Sequence, residues 1–370
     1  MKGERIRFAL VGGSARSEYL YGPLLTLLTE EVDLVAVWSR SEARAQTLGQ
    51  KLRVPWFTDL ELLTRDTAPQ AAVVSVKSEA NGEVGLRVID LGLHCLLETP
   101  VAQDLVEADR IIDRAREMGV KVEVAEQYYR RPIEQLKLAL LAAGTFGRVL
   151  VAENDFMGHA YHGVSLIRSY VGFDTPVDSV SAFSGEFDVA PHYAWITKSS
   201  GPRREEWQHG MLRFADGRLG IFNWSSLAYD SGLRWWRSTR FFAERGQAIG
   251  DRLTIVSKDG RDPEPIEVER RFHNVGGMET LSEVVAHTDP EVRWLNPFRA
   301  YYMDDEMIAT ASSLTSLVRA VRDDKAPEYG SDQARLDQEV SLAMAESSRR
   351  GGEPVQLPLA LGLAQGVPAK

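Results

Sequence analysis

Two histidines and a tyrosine, His159, Tyr161 and His162, occur within four residues, directly after a strand predicted over residues 148–155. Imidazole is the side chain whose ordinary pKa lies near neutrality, so it can take a proton from a hydroxyl group or return one at physiological pH. We therefore expect a general acid/base within this group of His159, Tyr161 and His162. Arg168, one helical turn further along, is a candidate substrate ligand.

Two other roles are open to this histidine pair. The i, i+3 spacing of His159 and His162 can bring both rings to one metal ion on a helix. Because no third ligand, His-Glu-x-x-His motif or cysteine pair accompanies them, we expect no metal. Helix capping or hydrogen bonding in the core would instead make both rings structural.

A glycine-rich turn near the N-terminus predicts a dinucleotide site. The segment Gly12-Gly13-Ser14-Ala15-Arg16-Ser17 follows an apolar strand and precedes a helical pattern. In the G-x-G-x-x-G turn of dinucleotide-binding domains, the second glycine lets the backbone approach the pyrophosphate and the third allows tight helix packing. Ser14 and Ser17 occupy those two positions here. We expect this turn to bind the diphosphate through Gly12, Gly13, Ser14, Ala15 and Arg16; the alternative is a turn that only connects two elements.

Ser39 and Arg40 follow the second predicted strand, residues 34–38. NAD-binding proteins normally carry an acidic residue there, which holds the ribose hydroxyls. A hydroxyl group and a guanidinium suit a 2′-phosphate better than a carboxylate would. The expected cofactor is therefore NAD(P), with NADP favoured; a solvated Arg40 on a surface turn is the alternative.

Hydrophobic periodicity predicts an α/β protein of two domains. Strands alternate with helices over residues 1–127, which indicates a doubly wound parallel sheet of the Rossmann type. Over residues 128–358 helices accompany hairpins, one with an Asp216-Gly217 turn, which predicts an α+β domain with an open, mainly antiparallel sheet. Residues 359–370 are expected to be a frayed tail.

Composition excludes several classes of protein. With 370 residues, 44% hydrophobic and 26% charged, the chain is long enough for two separate cores. A net charge of −10 argues against a nucleic-acid partner, which would select a basic face. The sequence has neither a signal-peptide pattern nor an apolar stretch long enough to span a membrane, so we expect a cytoplasmic protein without a membrane partner.

The segment Gly92-Leu93-His94-Cys95-Leu96-Leu97-Glu98-Thr99-Pro100 resembles Gly-x-His-Val-Leu-x-Glu-Lys-Pro, a signature of the glucose-fructose oxidoreductase, inositol dehydrogenase and MocA family. The resemblance covers residues 5–358. It implies an NAD(P)-dependent oxidoreductase that acts on a secondary hydroxyl or ketone of a carbohydrate-like small molecule (a sugar, cyclitol or glycoside), and a homo-oligomer, dimer or tetramer. Thr99 stands where the family has its acid/base lysine. Because threonine does not titrate near neutrality, we expect Thr99 to be a hydrogen-bonding wall beside the nicotinamide.

The resemblance assigns the remaining candidate residues. A second family signature, Asp-x-Gly-x-His-x-x-Asp, places His162 at its histidine, while Gly158 and Ser165 replace its two acids. The resemblance thus implies that His162 is the general acid/base, assisted by Tyr161 or His159. Lys77 is a candidate phosphate ligand or substitute base. The other implied cofactor contacts are Ser75, Val76, Asn81, Glu98 and Gln127, and the implied substrate contacts are Tyr128, Tyr129 and Arg130.

Other functions remain open at this point. Hydride removal and return could bracket an elimination, giving redox-neutral glycoside cleavage in the same pocket. The loss of the lysine and of both acids also fits a non-catalytic sensor or scaffold that has kept the cofactor domain. A reductase acting on an imine or enone is a third alternative.

Overall fold

The structure is a computed structural model that describes residues 4–257 and 259–360. In its first part strands and helices alternate, in the order β1 Ile6–Val11, α1 Gly22–Leu27, β2 Val32–Trp38, α2 Glu42–Leu52, β3 Trp56–Phe57, α3 Leu60–Thr67, β4 Ala71–Val74, α4 Asn81–Asp90, β5 His94–Leu97, α5 Leu105–Met118 and β6 Val122–Val124. A π-helical turn, Ser17–Tyr21, precedes α1, and a 3-10 turn, Tyr128–Arg130, follows β6.

Hairpins dominate the second part. Its elements are α6 Pro132–Ala142, β7 Val149–Asp155, α7 Ala160–Val171, β8 Val177–Ala194, β9 Ser199–Phe214, β10 Leu219–Ser225, α8 Ser226–Asp230, β11 Ser238–Ala243, β12 Gly246–Ile249, β13 Arg252–Val256, β14 Pro263–Ile266, β15 Val268–Val275, β16 Met278–Ala286 and β17 Val292–Leu295. The chain then continues through α9 Asp305–Arg322, α10 Ser331–Arg349 and β18 Val355–Gln356.

The described residues form two compact units, 4–130 with 303–336 and 131–302 with 337–360. The sequence analysis assigned residues 303–336 to the second domain, and here the structure differs. Helix α9 contacts β5, β6 and the 3-10 turn after β6, and it buries Ile308, Leu314 and Leu317. An amphipathic helix far along the sequence thus completes the first unit. Of the predicted tail, residues 361–370 lie outside the described residues.

The first unit contains the predicted parallel sheet, whose described strands lie in the order β3-β2-β1-β4-β5-β6. Every pairing in it is parallel. Strand β1 is buried on both faces at Phe8, Leu10 and Val11, as a central strand covered by helices requires. This confirms the predicted Rossmann-type fold. The strand order reverses between β1 and β4.

The second unit contains the predicted open sheet. Its described strands lie in the order β14-β13-β12-β11-β7-β10-β9-β8-β18, and only the β7–β10 pair is parallel. The Asp216-Gly217 turn joins β9 to β10, with a φ of +86° at the glycine. Gly250 turns the chain between the antiparallel strands β12 and β13, at a φ of +62°. None of the described helices is long and apolar enough to cross a membrane.

Within the first unit, the buried side chains of Arg130 and Glu123 connect the 3-10 turn, β6 and α9. Arg130 is 2% exposed; its Nη2 lies 2.7 Å from Glu123 Oε1 and its Nη1 lies 2.6 Å from Glu328 Oε2. Ser316, on α9, donates to the other oxygen of Glu123 at 2.5 Å. The ring of Tyr129 covers the guanidinium, with 5.0 Å between the ring centroid and Cζ. The Arg130 side chain is therefore a structural link of this unit.

We expect Arg130→Gln to lower the free energy of unfolding by about 3–5 kcal/mol, because it leaves Glu123 buried without its cation. Arg319→Gln is the matched control, since Arg319 contacts the same Glu328 at 2.5 Å from the surface. Exposed pairs contribute about 1 kcal/mol or less. Urea unfolding of the two variants measures the contrast, and equal losses would contradict a structural role for Arg130.

Candidate functional site

The backbone at Gly12 shapes the nucleotide end of the first unit. Gly12 follows β1 with a φ of +127°, and a Cβ atom there would lie 2.0 Å from the carbonyl oxygen of Ser75, which follows β4. Only glycine fits such a close approach. Because β1 and β4 are the strands between which the sheet order reverses, their carboxyl ends frame the position where ligands bind in doubly wound sheets.

Two serines, Ser14 and Ser17, stand at the missing glycine positions, and their hydroxyls contact each other and Ser75. Ser14 Oγ lies 2.8 Å from Ser75 Oγ and 3.1 Å from Ser17 Oγ, and it accepts a 3.1 Å hydrogen bond from the Ser17 backbone N–H. The buried Ser17 hydroxyl donates to the Ser75 carbonyl at 3.3 Å. The hydroxyls thus satisfy one another inside the turn, which explains how serine is accommodated at two positions that usually require glycine.

Glu98 holds Arg16 beside the turn. Its Oε1 accepts from Arg16 Nε at 2.5 Å and from the Tyr21 hydroxyl at 2.7 Å, and its Oε2 accepts from the Thr99 backbone N–H at 3.2 Å. Burial and then the charge of Glu98 raise the pKa of Tyr21 well above its ordinary value, so Tyr21 donates as a neutral phenol. Burial opposes the charge of Arg16, but Glu98 raises the pKa of Arg16 overall.

Asn81 fixes the segment that carries Thr99. Its side-chain amide, fully buried at the start of α4, donates to the Glu98 carbonyl at 2.6 Å and to the Pro100 carbonyl at 2.8 Å. Thr99 is half-buried. The predicted cofactor residues Asn81, Glu98 and Thr99 therefore lie together at one strand end, with Arg16 tied to them through Glu98.

Some buried polar atoms of the first unit lack a hydrogen-bond partner, and a bound dinucleotide could supply one. Among the described residues, three buried atoms of predicted cofactor residues have no hydrogen-bond partner: Arg16 Nη2, Asn81 Oδ1 and Gln127 Oε1. Buried polar groups left unpaired are costly and uncommon in native proteins. All three residues follow strands of the parallel sheet at its carboxyl ends, where a bound dinucleotide would offer donors and acceptors. The residues present fit NAD(P).

A cleft of about 340 Å³ adjoins the turn at the ends of β2 and β4. It is lined by Gly12, Gly13, Ser14, Trp38, Ser39, Arg40, Ser41, Arg44, Val76 and Lys77. Ser39 is buried and its Oγ accepts from the Ser41 N–H at 3.2 Å, whereas Arg40 and Lys77 are exposed. Sequence reasoning missed Arg44, because a polar residue on an exposed helix face carries no signal of its own; its proximity to Gly13 is a tertiary feature.

In the second unit, the predicted catalytic residues lie within one cluster of rings. Ring centroids are separated by 4.8 Å for His159–His162, 4.6 Å for Tyr161–His162 and 5.6 Å for His159–Tyr161. Two further aromatic residues join them, Tyr229 at 5.3 Å and Trp224 at 6.4 Å from the His159 ring. The cluster thus brings together three elements, since β10 and α8 supply the last two rings.

The loop before α7 fixes this cluster. The buried Asn154 side chain accepts from the Gly158 N–H at 2.8 Å and donates to the Gly158 carbonyl at 2.8 Å. Phe156 and Ala160 have left-handed backbones, with φ of +61° and +40°. A Cβ at Gly158 would lie 2.9 Å from the Cβ of His162, so the family's aspartate does not fit here. The packing of this loop therefore requires a glycine at position 158.

Burial, and next the charge of a protonated His162, lower the pKa of His159 to about 3. His159 is therefore neutral at physiological pH and forms the non-helical cap position of α7. The buried His162 donates its backbone N–H to the His159 carbonyl at 2.9 Å in the first turn. The His159 imidazole is thus a neutral ring that packs against its neighbours.

Both arginines predicted to contact the substrate, Arg130 and Arg168, are buried and paired with carboxylates. Arg130 pairs with Glu123 and Glu328, as described above. Arg168 is 2% exposed, and its Nη1 lies 2.5 Å from Asp337 Oδ1 while its Nη2 donates to the Phe173 carbonyl at 2.7 Å. Tyr128 and Tyr129 are also buried. Among the described residues, no group of three or more His, Cys, Asp or Glu is arranged to hold a metal ion.

The sequence of this chain is similar to those of known oxidoreductases over part of its length. Residues 6–126 match the oxidoreductase family with an NAD-binding Rossmann fold. The chain is similar to oxidoreductase P35 of Formosa agariphila, 28% identical over 192 residues, or 51% of this chain. It is also similar to D-xylose 1-dehydrogenase (NADP(+)) 2 of Haloferax volcanii, 27% identical over 139 residues, or 37% of this chain. The matches span 58% and 42% of the length of these two relatives.

Similarity of fold extends over nearly the whole chain. The WlbA dehydrogenase of Bordetella pertussis, solved in complex with NADH and UDP-GlcNAcA, superposes with a TM-score of 0.68 at 19% identity. The match covers 97% of this chain and 100% of that one. At this level of identity the comparison establishes a shared fold.

Gly12→Ala is expected to destabilise the first unit by about 3 kcal/mol or more, because a Cβ atom collides with the Ser75 carbonyl and the backbone is left-handed. Gly92→Ala is the matched control: its φ is +74°, but a Cβ there meets nothing within 4 Å. It should lose only about 1–2 kcal/mol. Chemical unfolding compares them, and equal losses would show that the contact with Ser75 is unimportant.

Stability should also depend on pH through His159. Its pKa in the folded state, about 3, lies below the ordinary 6.5, so the unfolded state binds the proton more tightly. The free energy of unfolding therefore falls as pH drops below 6.5, by about 2 kcal/mol at pH 5. His159→Phe keeps a ring and removes this contribution, so its unfolding should be less sensitive to acid between pH 7.5 and 5. Parallel curves for the two proteins would disprove the assignment.

Proposed function

We propose that this chain, whose residues 6–126 match the oxidoreductase family with an NAD-binding Rossmann fold, is a member of the glucose-fructose oxidoreductase, inositol dehydrogenase and MocA family. In this proposal it is an NAD(P)-dependent oxidoreductase that acts on a secondary hydroxyl or ketone of a sugar, cyclitol or glycoside. His162 is the general acid/base of the proposed reaction, in place of the family lysine. The similarity to a D-xylose dehydrogenase supports a carbohydrate-like substrate.

One observation carries the proposal: two imidazoles and a phenol are packed together at the start of α7, while the position of the family lysine is Thr99. The ring centroid of His162 lies within 5 Å of those of both neighbours, at 4.8 Å and 4.6 Å. A site that had lost its chemistry would have no need to hold a histidine in the first turn on a strained loop. The cluster supplies the proton-transfer group that the lysine position lacks.

Each residue has a separate part in the proposed chemistry. A nicotinamide bound by the first unit would supply the hydride acceptor or donor. His162 takes the hydroxyl proton of the substrate when the carbinol is oxidised, and returns it in the reverse direction. His159 remains neutral and holds the His162 ring by edge-to-face packing at an interplanar angle of 87°. Tyr161 contributes a phenolic hydroxyl as a hydrogen-bond donor to the substrate.

Trp224 supports a ring-shaped polyol as the substrate class. Its indole belongs to the same cluster, and its Nε1 is buried without a hydrogen-bond partner among the described residues. An indole combines an apolar face with one donor. The C–H face of a sugar or cyclitol ring can lie against such a surface while one hydroxyl accepts from Nε1. Tyr229, 6.4 Å away between centroids, extends the aromatic surface.

We expect His162→Asn to lower kcat by about 100- to 10,000-fold, the usual contribution of a general acid/base. The Kd for NAD(P) should change less than about twofold, because the dinucleotide residues lie in the other unit. His159→Asn is the matched control and should lower kcat by less than about tenfold. Absorbance at 340 nm with a panel of sugars, cyclitols and glycosides measures turnover, and calorimetry measures cofactor binding.

The same panel separates the alternatives. Retention of activity by His162→Asn would mean that another group, such as Lys77, is the base. Cleavage of a glycoside without accumulation of reduced cofactor would indicate the redox-neutral reaction. Tight cofactor binding by the wild type with no reaction on any member of the panel would favour a sensor.

A further inference from the structure

Two arginine side chains lie over one ring of the aromatic cluster in the second unit. The guanidinium carbons of Arg234 and Arg237 are 6.0 Å and 5.8 Å from the centroid of the Tyr229 ring. The same ring lies 5.3 Å from the ring of His159. Positive charge therefore adjoins the group of rings that contains the proposed acid/base, although 72 positions of sequence separate His162 from Arg234.

Hydrogen bonds fix the segment that carries Arg234. The hydroxyl of Ser231, which is 2% exposed, donates to the Leu227 carbonyl at 2.5 Å and accepts from the Leu233 N–H at 3.1 Å. It thereby joins α8 to the 3-10 turn Gly232–Trp236, which contains Arg234. The backbone that presents this guanidinium is therefore held in place before any ligand arrives.

Arg237 connects the same segment to the loop that carries the histidines. Its Nε donates to the Arg234 carbonyl at 3.1 Å, and its Nη1 donates to the Met157 carbonyl at 3.5 Å. Met157 lies in the loop before α7, two positions before His159. One arginine thus links the 3-10 turn to the start of α7, and the other lies beside it.

The charge of Arg234 has no carboxylate partner within residues 4–257 and 259–360, although its side chain is half-buried. Asp230, next to Tyr229 in α8, is engaged elsewhere: its Oδ1 accepts from the Ile196 N–H at 2.5 Å, and its Oδ2 lies 3.8 Å from Arg203 Nη1. The face of an aromatic ring attracts a cation but carries no net charge. An anion bound here would therefore meet a guanidinium whose charge the protein leaves uncompensated.

Partial burial makes such a site selective for an anion. Two like charges beside one ring raise the local potential, and their attraction for an anion is stronger away from bulk water. A guanidinium offers a planar fork of donors that matches the oxygens of a carboxylate or a phosphate. The buried arginines of the framework, Arg130 and Arg168, have carboxylates at this position of the fork. Arg234 has the same chemistry and a place for an external anion.

We propose that Arg234, supported by the charge of Arg237, binds an anionic substituent of the substrate, a carboxylate or a phosphate. The ring that bears this substituent lies against the aromatic cluster, so that its carbinol faces His162. The inference rests on the proposed function and narrows its substrate class from carbohydrate-like molecules in general to acidic ones, with Arg234 as the specificity-determining residue.

Hexoses that differ only at C6 test this inference. The panel contains glucose, galactose and mannose, each as the neutral sugar, the uronic acid and the 6-phosphate. Calorimetric titration in the presence of the reduced cofactor measures binding without oxidation of a hydroxyl group, and absorbance at 340 nm with the oxidised cofactor measures kcat/KM. At least one acidic member should bind the wild type about tenfold or more tightly than its neutral counterpart, as a charge-assisted hydrogen bond contributes.

Three variants make the result specific. Arg234→Gln should reduce the preference for the acidic sugar about tenfold and change the affinity for the neutral sugar less than about threefold. Arg234→Lys keeps the charge but loses the planar fork, so it should retain part of the preference. Arg204→Gln is the matched control: Arg204 lies on β9 of the same unit with a 64% exposed side chain, and its loss should leave the preference unchanged. Thermal unfolding establishes that each variant is folded.

The outcomes are distinguishable. Equal affinity of the wild type for acidic and neutral members, no binding of any acidic member, or an equal loss for both kinds in Arg234→Gln overturns the anion site and leaves the oxidoreductase proposal intact. An acidic sugar that binds through Arg234 but is never oxidised supports the anion site, and the proposed function then fails. Preference for the uronic acid identifies a carboxylate ligand, and preference for the 6-phosphate identifies a phosphate; either supports the inference.

Discussion

The carbonyl oxygen of Ser75 leaves no space for a side chain at residue 12, and the nucleotide end of the protein depends on this contact. A Cβ at Gly12 would lie 2.0 Å from that oxygen. The close approach joins the ends of β1 and β4 at the point where the sheet order reverses, and the serine hydroxyls around it are satisfied within the turn. This explains why the glycine pattern can be degraded at two positions while the turn keeps its close approach to Ser75.

Close packing also restricts the residue type at one position of the second unit. Gly158 is surrounded so closely by His162 and Gly163 that no aspartate could occupy its position, and Asn154 holds its backbone by two hydrogen bonds. The absent acids and the retained imidazole are therefore parts of one arrangement. A site without the family's lysine and carboxylates has instead a packed group of rings, in which burial keeps His159 neutral beside His162.

The chain has two kinds of arginine, which differ in burial and in pairing with carboxylates. Arg130 and Arg168 are buried against carboxylates, where a cation contributes to stability only through its partner. Arg40 and Arg44 are exposed at a cleft and form no ion pair within the described ranges, 4–257 and 259–360. Sequence alone cannot separate these two kinds of arginine, because the partners Glu328 and Asp337 lie 198 and 169 positions away. Burial and pairing therefore assign Arg130 and Arg168 to the framework, and they give Arg40 and Arg44 no such structural role.

The sequence by itself determined the elements whose signals are local. Helix α5 follows from an apolar periodicity bounded by Asp104 and Gly119, strand β1 from a β-branched and apolar run, and the β9–β10 turn from Asp216-Gly217. The glycine turn and the His159–His162 group were also recognisable, because residue types at short spacing carried the information. Only the tertiary structure decided that α9 returns to the first unit, that Arg44 and Lys77 share a cleft, and that Trp224 and Tyr229 join the histidines. Periodicity and turn chemistry act between neighbours in sequence, whereas these contacts form between segments that only the packing of the sheets and helices brings together.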